Sequence, residues 1–123
     1  MATILFVDDD KDALELVRFL ADREGYKLVT AEDGKEGVNL AIQEKPDLVI
    51  MDIMMPELDG HTATLELGRQ EATRKIPVIV LTAKSNMREA FELSPNVVAY
   101  VEKPFDPKVL SDLIRKHLSD RTS

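Results

Sequence analysis

Four apolar runs in the chain each stop at a chemically reactive side chain. Ile4-Leu5-Phe6-Val7 stops at Asp8-Asp9-Asp10, Leu48-Val49-Ile50-Met51 at Asp52, and Val78-Ile79-Val80-Leu81 at Thr82. Val97-Val98-Ala99-Tyr100-Val101 stops, after Glu102, at Lys103. Leu48 to Met51 has no polar alternation, which is the pattern of a strand buried on both faces of a parallel sheet. Between them the apolar spacing lengthens to that of helices. Asp10 or Asp12 caps a first helix reaching about Glu24, with Ala13, Leu14, Val17, Leu20 and Ala21 inward and Gly25 suited to its C-terminal cap. A short strand follows at Lys27-Leu28-Val29-Thr30. Asp33-Gly34 opens a second helix with Val38, Ala41 and Ile42 inward, closed before Pro46. Met54 to Gly60 reads as a loop, and a third helix spans His61 to Gln70, weakened by Thr62, Thr64 and Gly68. Ser85 caps a short fourth helix that stops before Pro95. Pro107 starts a fifth, with Val109, Leu110, Leu113, Ile114 and Leu118 inward.

This alternation predicts an α/β fold with a doubly wound, five-stranded parallel sheet, right-handed crossovers and five helices. Residues 1–123 form a single domain in this reading, with its core at about 3–119 and a fraying polar tail at 120–123. In such a sheet the reactive residues converge on the carboxyl edge, where open α/β sheets bind ligands and do chemistry.

Charge narrows the function. A net charge of -7 argues against nucleic-acid binding by the domain, because phosphate neutralisation needs a basic surface. It suits a cation ligand or a basic partner surface. The chain has no cysteine, which removes disulfides, thiolate chemistry and cysteine metal sites. Met1-Ala2-Thr3 runs straight into a strand and no apolar run nears membrane-spanning length, so the expected location is cytoplasmic, away from membranes.

Asp8, Asp9 and Asp52 end two neighbouring strands in this arrangement. Carboxylates brought together repel, and burial raises the cost of their charge. A hard divalent cation relieves both, and magnesium takes a few carboxylates together with water and substrate phosphate. The plainer role for any one of these aspartates is to cap the first helix, but three at two strand ends exceed that need. Lys103 would add an ammonium able to hold a phosphoryl oxygen, its direction fixed by Pro104-Phe105. A cis Lys103-Pro104 bond would aim the amine into the site. Thr82 alone is an ordinary strand residue. Beside Lys103 it could donate to a phosphoryl group on Asp52.

Five segments in order carry a resemblance over nearly the whole chain. They are Phe6-Val7-Asp8-Asp9-Asp10, Asp47 through Pro56, Asp59-Gly60, Ile76 through Ala83, and Tyr100-Val101-Glu102-Lys103-Pro104-Phe105. The chain resembles the receiver domains of response regulators in two-component signalling. The resemblance implies a flavodoxin-like sheet of order 2-1-3-4-5. It makes Asp52 the phosphoacceptor, served by a sensor histidine kinase, a phosphotransfer protein or a small phosphodonor. It implies magnesium (or manganese) on Asp9, Asp52 and the Met54 backbone carbonyl, with Asp8 acting through water. Lys103 then contacts the phosphoryl group and Thr82 reorients towards it. Tyr100 turns inward and alters the face of the fourth helix, fifth strand and fifth helix, where a downstream protein binds. Proline after the family's lysine is commonly cis, which favours that form at Pro104. Met54 and Lys84 occupy positions that influence the phosphoryl group's lifetime, and the resemblance admits a phosphorylation-dependent homodimer as well as a monomer. Ser94 to Ala99 departs from the pattern by lacking a Gly-Ala pair, and Asn96 would take the left-handed turn in its place.

Two other functions fit parts of this pattern. Asp8-Asp9-Asp10 also suits the Asp-x-Asp start of haloacid-dehalogenase-like phosphatases, with Asp8 as nucleophile and Asp10 as acid/base. That reading needs a further acidic pair on a strand end beyond the lysine, and only Asp106, Asp112 and Asp120 follow, on or near the last helix. A silent interaction module would usually lack a key acid or the lysine, and this chain keeps them. His61 and His117 lie apart and end no strand. Met51, Met54 and Met55 read as packing. No effector domain follows the fifth helix, so the chain is either a stand-alone regulator or a piece of a longer protein.

Overall fold

The computed structural model describes residues 2–52, 60–82, 95–103 and 105–122. Along the chain run β1 (Thr3–Val7), α1 (Lys11–Glu24), β2 (Lys27–Ala31), α2 (Gly34–Glu44), β3 (Leu48–Asp52), α3 (Gly60–Arg69), β4 (Val78–Thr82), β5 (Val97–Glu102) and α4 (Pro107–Thr122). The strands form one sheet in the order β2-β1-β3-β4-β5, and every pairing is parallel. The described residues contain four helices, and the expected helix between Ser85 and Pro95 lies outside them, as does the loop from 53 to 59.

Among the described residues each face of the sheet carries two helices. Ile4, Phe6, Leu48, Ile50, Ile79 and Leu81 pack with Val17 and Leu20 of α1 and with Leu110, Ile114 and Leu118 of α4. Leu5, Val7, Val49, Met51, Val78 and Val80 pack with Ala41 of α2 and with Ala63 and Leu67 of α3. Successive strand residues thus feed opposite cores, which is why the runs contain no polar position.

The helix starts follow local chemistry. Asp10 caps α1, its side chain accepting from the Asp12 and Ala13 amides, and Gly25 closes it at φ 77°. Asp33 caps α2 by accepting from the Glu36 amide at 2.8 Å, while Glu36 Oε1 accepts from the Glu32 amide at 2.8 Å. Three expectations are corrected. Ile42 is 37% exposed and Val109 49% exposed. Each lies about 100° around its helix from a buried neighbour, Ala41 or Leu110, which occupies the stripe facing the sheet. The helix α4 continues to Thr122, so the backbone of the polar tail extends the helix almost to the end.

The third correction concerns Asn96. Among the described residues the non-glycine residue with positive φ is Lys45, so Asn96 does not make a left-handed turn. It is buried instead: its Nδ2 donates to the Thr64 carbonyl of α3 at 3.1 Å, and its own carbonyl accepts from the Val78 amide at 2.8 Å. Just beyond it the β4–β5 register jumps, with Val78 opposite Val97 and Ile79 opposite Ala99. Val98 is the extra residue of this bulge and is 41% exposed.

Helix α2 approaches β1 closely at Gly37, where a Cβ would lie 2.8 Å from Val7 Cγ2 and 3.1 Å from Val7 Cγ1. Val7 is fully buried and β-branched, so it has little freedom to yield. Alanine should therefore destabilise at this position although it favours helix by about 1 kcal/mol. Gly37→Ala is expected to lower stability by about 1–2 kcal/mol in urea unfolding. Val7→Ala should recover part of that loss in the double variant. A neutral or stabilising Gly37→Ala would contradict the tight contact.

Candidate functional site

The register creates the site. Val7 pairs with Met51, so the next residues on the two strands, Asp8 and Asp52, come side by side at the carboxyl edge. The Asp8 amide donates to the Ala31 carbonyl at 3.0 Å, which ties the end of β1 to β2. Both aspartates are buried, at 4% and 2% exposure, while Asp9 is exposed. One carboxylate oxygen from each of Asp8, Asp9 and Asp52 lies within 4.8 Å of the others. A cleft of about 330 Å³ opens over Asp8, Asp9 and Asp10.

Lys103 follows β5 and reaches across the edge to this group. Its Nζ donates to Asp8 Oδ2 at 2.8 Å and to Asp52 Oδ2 at 3.3 Å. Asp8 Oδ1 accepts from the Asp10 amide at 2.9 Å. Burial pushes the Asp8 carboxyl up to about 6, and the neighbouring Asp52 adds to the rise. The Lys103 hydrogen bond and the Asp10 amide oppose it. For Lys103, burial works against the charge, but Asp8 and Asp52 together outweigh it and hold the amine above its ordinary value.

The other residues singled out in the sequence fall as follows. Thr82 is the last residue of β4, with its backbone opposite Glu102. Tyr100 is half-buried in β5 and packs on the core beneath α2 and α3. Met54, Lys84 and Pro104 lie outside the described residues, and with them the backbone ligand, both lifetime positions and the cis-peptide expectation. Sequence reasoning gave Asp10 the helix cap, and an acid/base role in the phosphatase reading, but no contact with Lys103. Its Oδ2 also lies 3.9 Å from Lys103 Nζ, and the run of three aspartates was the signal for that second contact.

The carboxylate set suits a hard dication: it is all oxygen, partly open to solvent through Asp9, and holds in Asp8 a carboxyl that burial first, and Asp52 second, pushes up. Residues 4–115 match the family described as the response regulator receiver domain. The chain belongs to this family. The receiver is 38% identical to the protein PilH of Pseudomonas aeruginosa over 120 residues, covering 97% of this chain and 99% of that one. It is 34% identical to the alkaline phosphatase synthesis transcriptional regulatory protein PhoP of Bacillus subtilis, covering 91% of this chain but 46% of that longer protein. Among solved structures it is similar to the response regulator TrrA of Thermotoga maritima in complex with Mg2+-BeF. That match has a TM-score of 0.83 and 34% identity, and covers 95% of this chain and 99% of that one. The phosphatase reading finds no support here, since Asp10 Oδ1 is engaged in capping α1 and Asp52 stands at the centre of the site.

The raised Asp8 value has a consequence for the metal-free receiver. The folded state holds the Asp8 proton more tightly than the unfolded chain, whose value is the ordinary 3.8. The stability this group contributes is therefore fully present below about pH 4 and is lost as pH rises through about 6. The whole effect is on the order of 2–3 kcal/mol. Urea unfolding in EDTA is expected to show stability falling between about pH 4 and pH 6, and Asp8→Asn should flatten that fall. Parallel pH profiles for the two proteins would rule out Asp8 as its source.

Proposed function

We propose that this receiver is a phosphorylation-dependent switch whose phosphoacceptor is Asp52. The observation that carries the reading is the Lys103 amine, which bridges Asp8 and Asp52 beside the three-carboxylate cluster. Phosphoryl transfer asks a protein mainly for positioning and charge neutralisation. A carboxylate oxygen of Asp52 attacks phosphorus, the bond from phosphorus to the donor's histidine nitrogen breaks, and an acyl phosphate forms on Asp52. Lys103 neutralises the oxygens that carry charge in the transition state. Asp9, Asp52 and the Met54 carbonyl would hold magnesium (or manganese), with Asp8 acting through water. When bound, the ion neutralises phosphoryl oxygens and lowers the repulsion among the aspartates.

The donor would be a sensor histidine kinase or a phosphotransfer protein. The output is a shift between two packings: Thr82 follows the phosphoryl group, and Tyr100 turns inward to alter the face containing β5, α4 and the segment before β5. A downstream protein, or a second copy of the chain, would read that face. A cis Lys103-Pro104 bond would aim the amine. We read residues 1–123 as one receiver unit, working in the cytoplasm without binding nucleic acid itself. No helix among the described residues is long and apolar enough to cross a membrane.

Intact mass spectrometry after incubation with magnesium and acetyl phosphate tests the central step. Wild type should gain one phosphoryl group, and Asp52→Asn or a magnesium-free sample should gain none. Equal labelling of Asp52→Asn would sink the assignment. Met54 and Lys84 are read as shielding the acyl phosphate from water, so Met54→Asn or Lys84→Ala should shorten its lifetime several-fold. An unchanged hydrolysis rate in both would remove that role.

A further inference from the structure

Lys103 Nζ has a third acidic neighbour. Besides Asp8 Oδ2 at 2.8 Å and Asp52 Oδ2 at 3.3 Å, it lies 3.9 Å from Asp10 Oδ2. The first two residues belong to the carboxylate cluster, so an ammonium and a dication draw on the same side chains. Of the three, Asp10 stands outside that cluster.

Asp10 is also held in place. Its Oδ1 accepts from the Asp12 amide at 3.0 Å and the Ala13 amide at 3.4 Å, and its own amide donates to Asp8 Oδ1 at 2.9 Å. With one oxygen fixed by the helix cap, the other faces the lysine at little cost in side-chain freedom. We propose that Asp10 is a positioning residue for Lys103, offering the ammonium a partner outside the Asp8–Asp52 pair to which it can swing when a divalent cation takes those oxygens. The inference rests on the magnesium reading above. The Asp10 side chain is 48% exposed and the Lys103 side chain 19%, so solvent weakens the attraction and the effect is a few-fold one.

A simpler electrostatic effect must be separated from this one. Removing any negative charge near a cation site weakens binding, with or without Lys103. Titration calorimetry of magnesium into the wild type, Asp10→Asn, Lys103→Met and the double variant distinguishes the two. Asparagine caps a helix as well as aspartate does, so α1 should be kept, as equal urea midpoints would verify. Asp10→Asn is expected to weaken magnesium binding about two- to five-fold when Lys103 is present and by a clearly smaller factor, the direct charge effect alone, in the Lys103→Met background. The same factor in both backgrounds would overturn the proposal. An absence of magnesium binding by the wild type would overturn the metal reading and this one with it. Magnesium binding without phosphoryl uptake would instead fault only the phosphoacceptor reading.

Lys103→Met strips a cation from two buried carboxylates and could unfold the protein. A second readout avoids that variant. The 13Cε signal of Lys103, identified by its loss in Lys103→Arg, should differ between magnesium-saturated wild type and Asp10→Asn. Identical signals would overturn the proposal.

Discussion

Two carboxylates buried at the ends of neighbouring strands repel each other, and water is too scarce there to screen them. The Asp8–Lys103–Asp52 bridge is what makes their coexistence affordable, with the amine 2.8 Å from one and 3.3 Å from the other. The bridge does not offset the cost of burial, which with a lesser push from Asp52 still leaves Asp8 holding its proton well above the ordinary carboxylate range. A site left short of positive charge is poised to accept more of it. The same frustration that weakens the metal-free fold is what would give a dication, and then a phosphoryl group with its counter-charges, something to relieve.

The fold supplies that frustration through backbone register. Parallel pairing of Val7 with Met51 sets Asp8 beside Asp52 whatever their side chains prefer. The sheet can hold them there because every residue of β3 is buried and both faces are covered by helices. The lysine arrives from β5, two strands beyond β3, so its reach depends on β4 holding β5 in register. The repulsion is thus opposed by the lysine bridge locally and by the two hydrophobic cores that hold the strands and the lysine in place.

The strands and their reactive ends were legible because apolar runs report burial directly. The convergence of Asp8, Asp9, Asp52 and Lys103 was legible once the runs were read as one parallel sheet. Helix faces were less so, because Ile42 and Val109 sit one position from the buried stripe and apolarity alone does not say which of two neighbours faces inward. Asn96 was misread because a side-chain bond to the Thr64 carbonyl, 32 residues away, leaves no local trace. Asp10 shows a related limit: the helix cap is a local pattern and was found, whereas its approach to Lys103 depends on a partner 93 positions later and was not.

The bulge at Val98 changes the phase of β5 partway along. Val97 and Tyr100 pack on the α2–α3 side, while Ala99 and Val101 pack on the α1–α4 side, although strict alternation would separate Val97 from Tyr100. The strand therefore has two halves set independently: the first by Asn96 anchoring to α3, the second by pairing with β4 up to Lys103. Such a joint gives the chain evolutionary slack. The connection leading into β5 can gain or lose a residue, with the change absorbed at the joint, while the lysine stays over the aspartates. Because β5 is also an edge of the sheet, the same irregularity interrupts the flat ladder that a foreign strand would need for pairing, so one extra residue protects both solubility and the site.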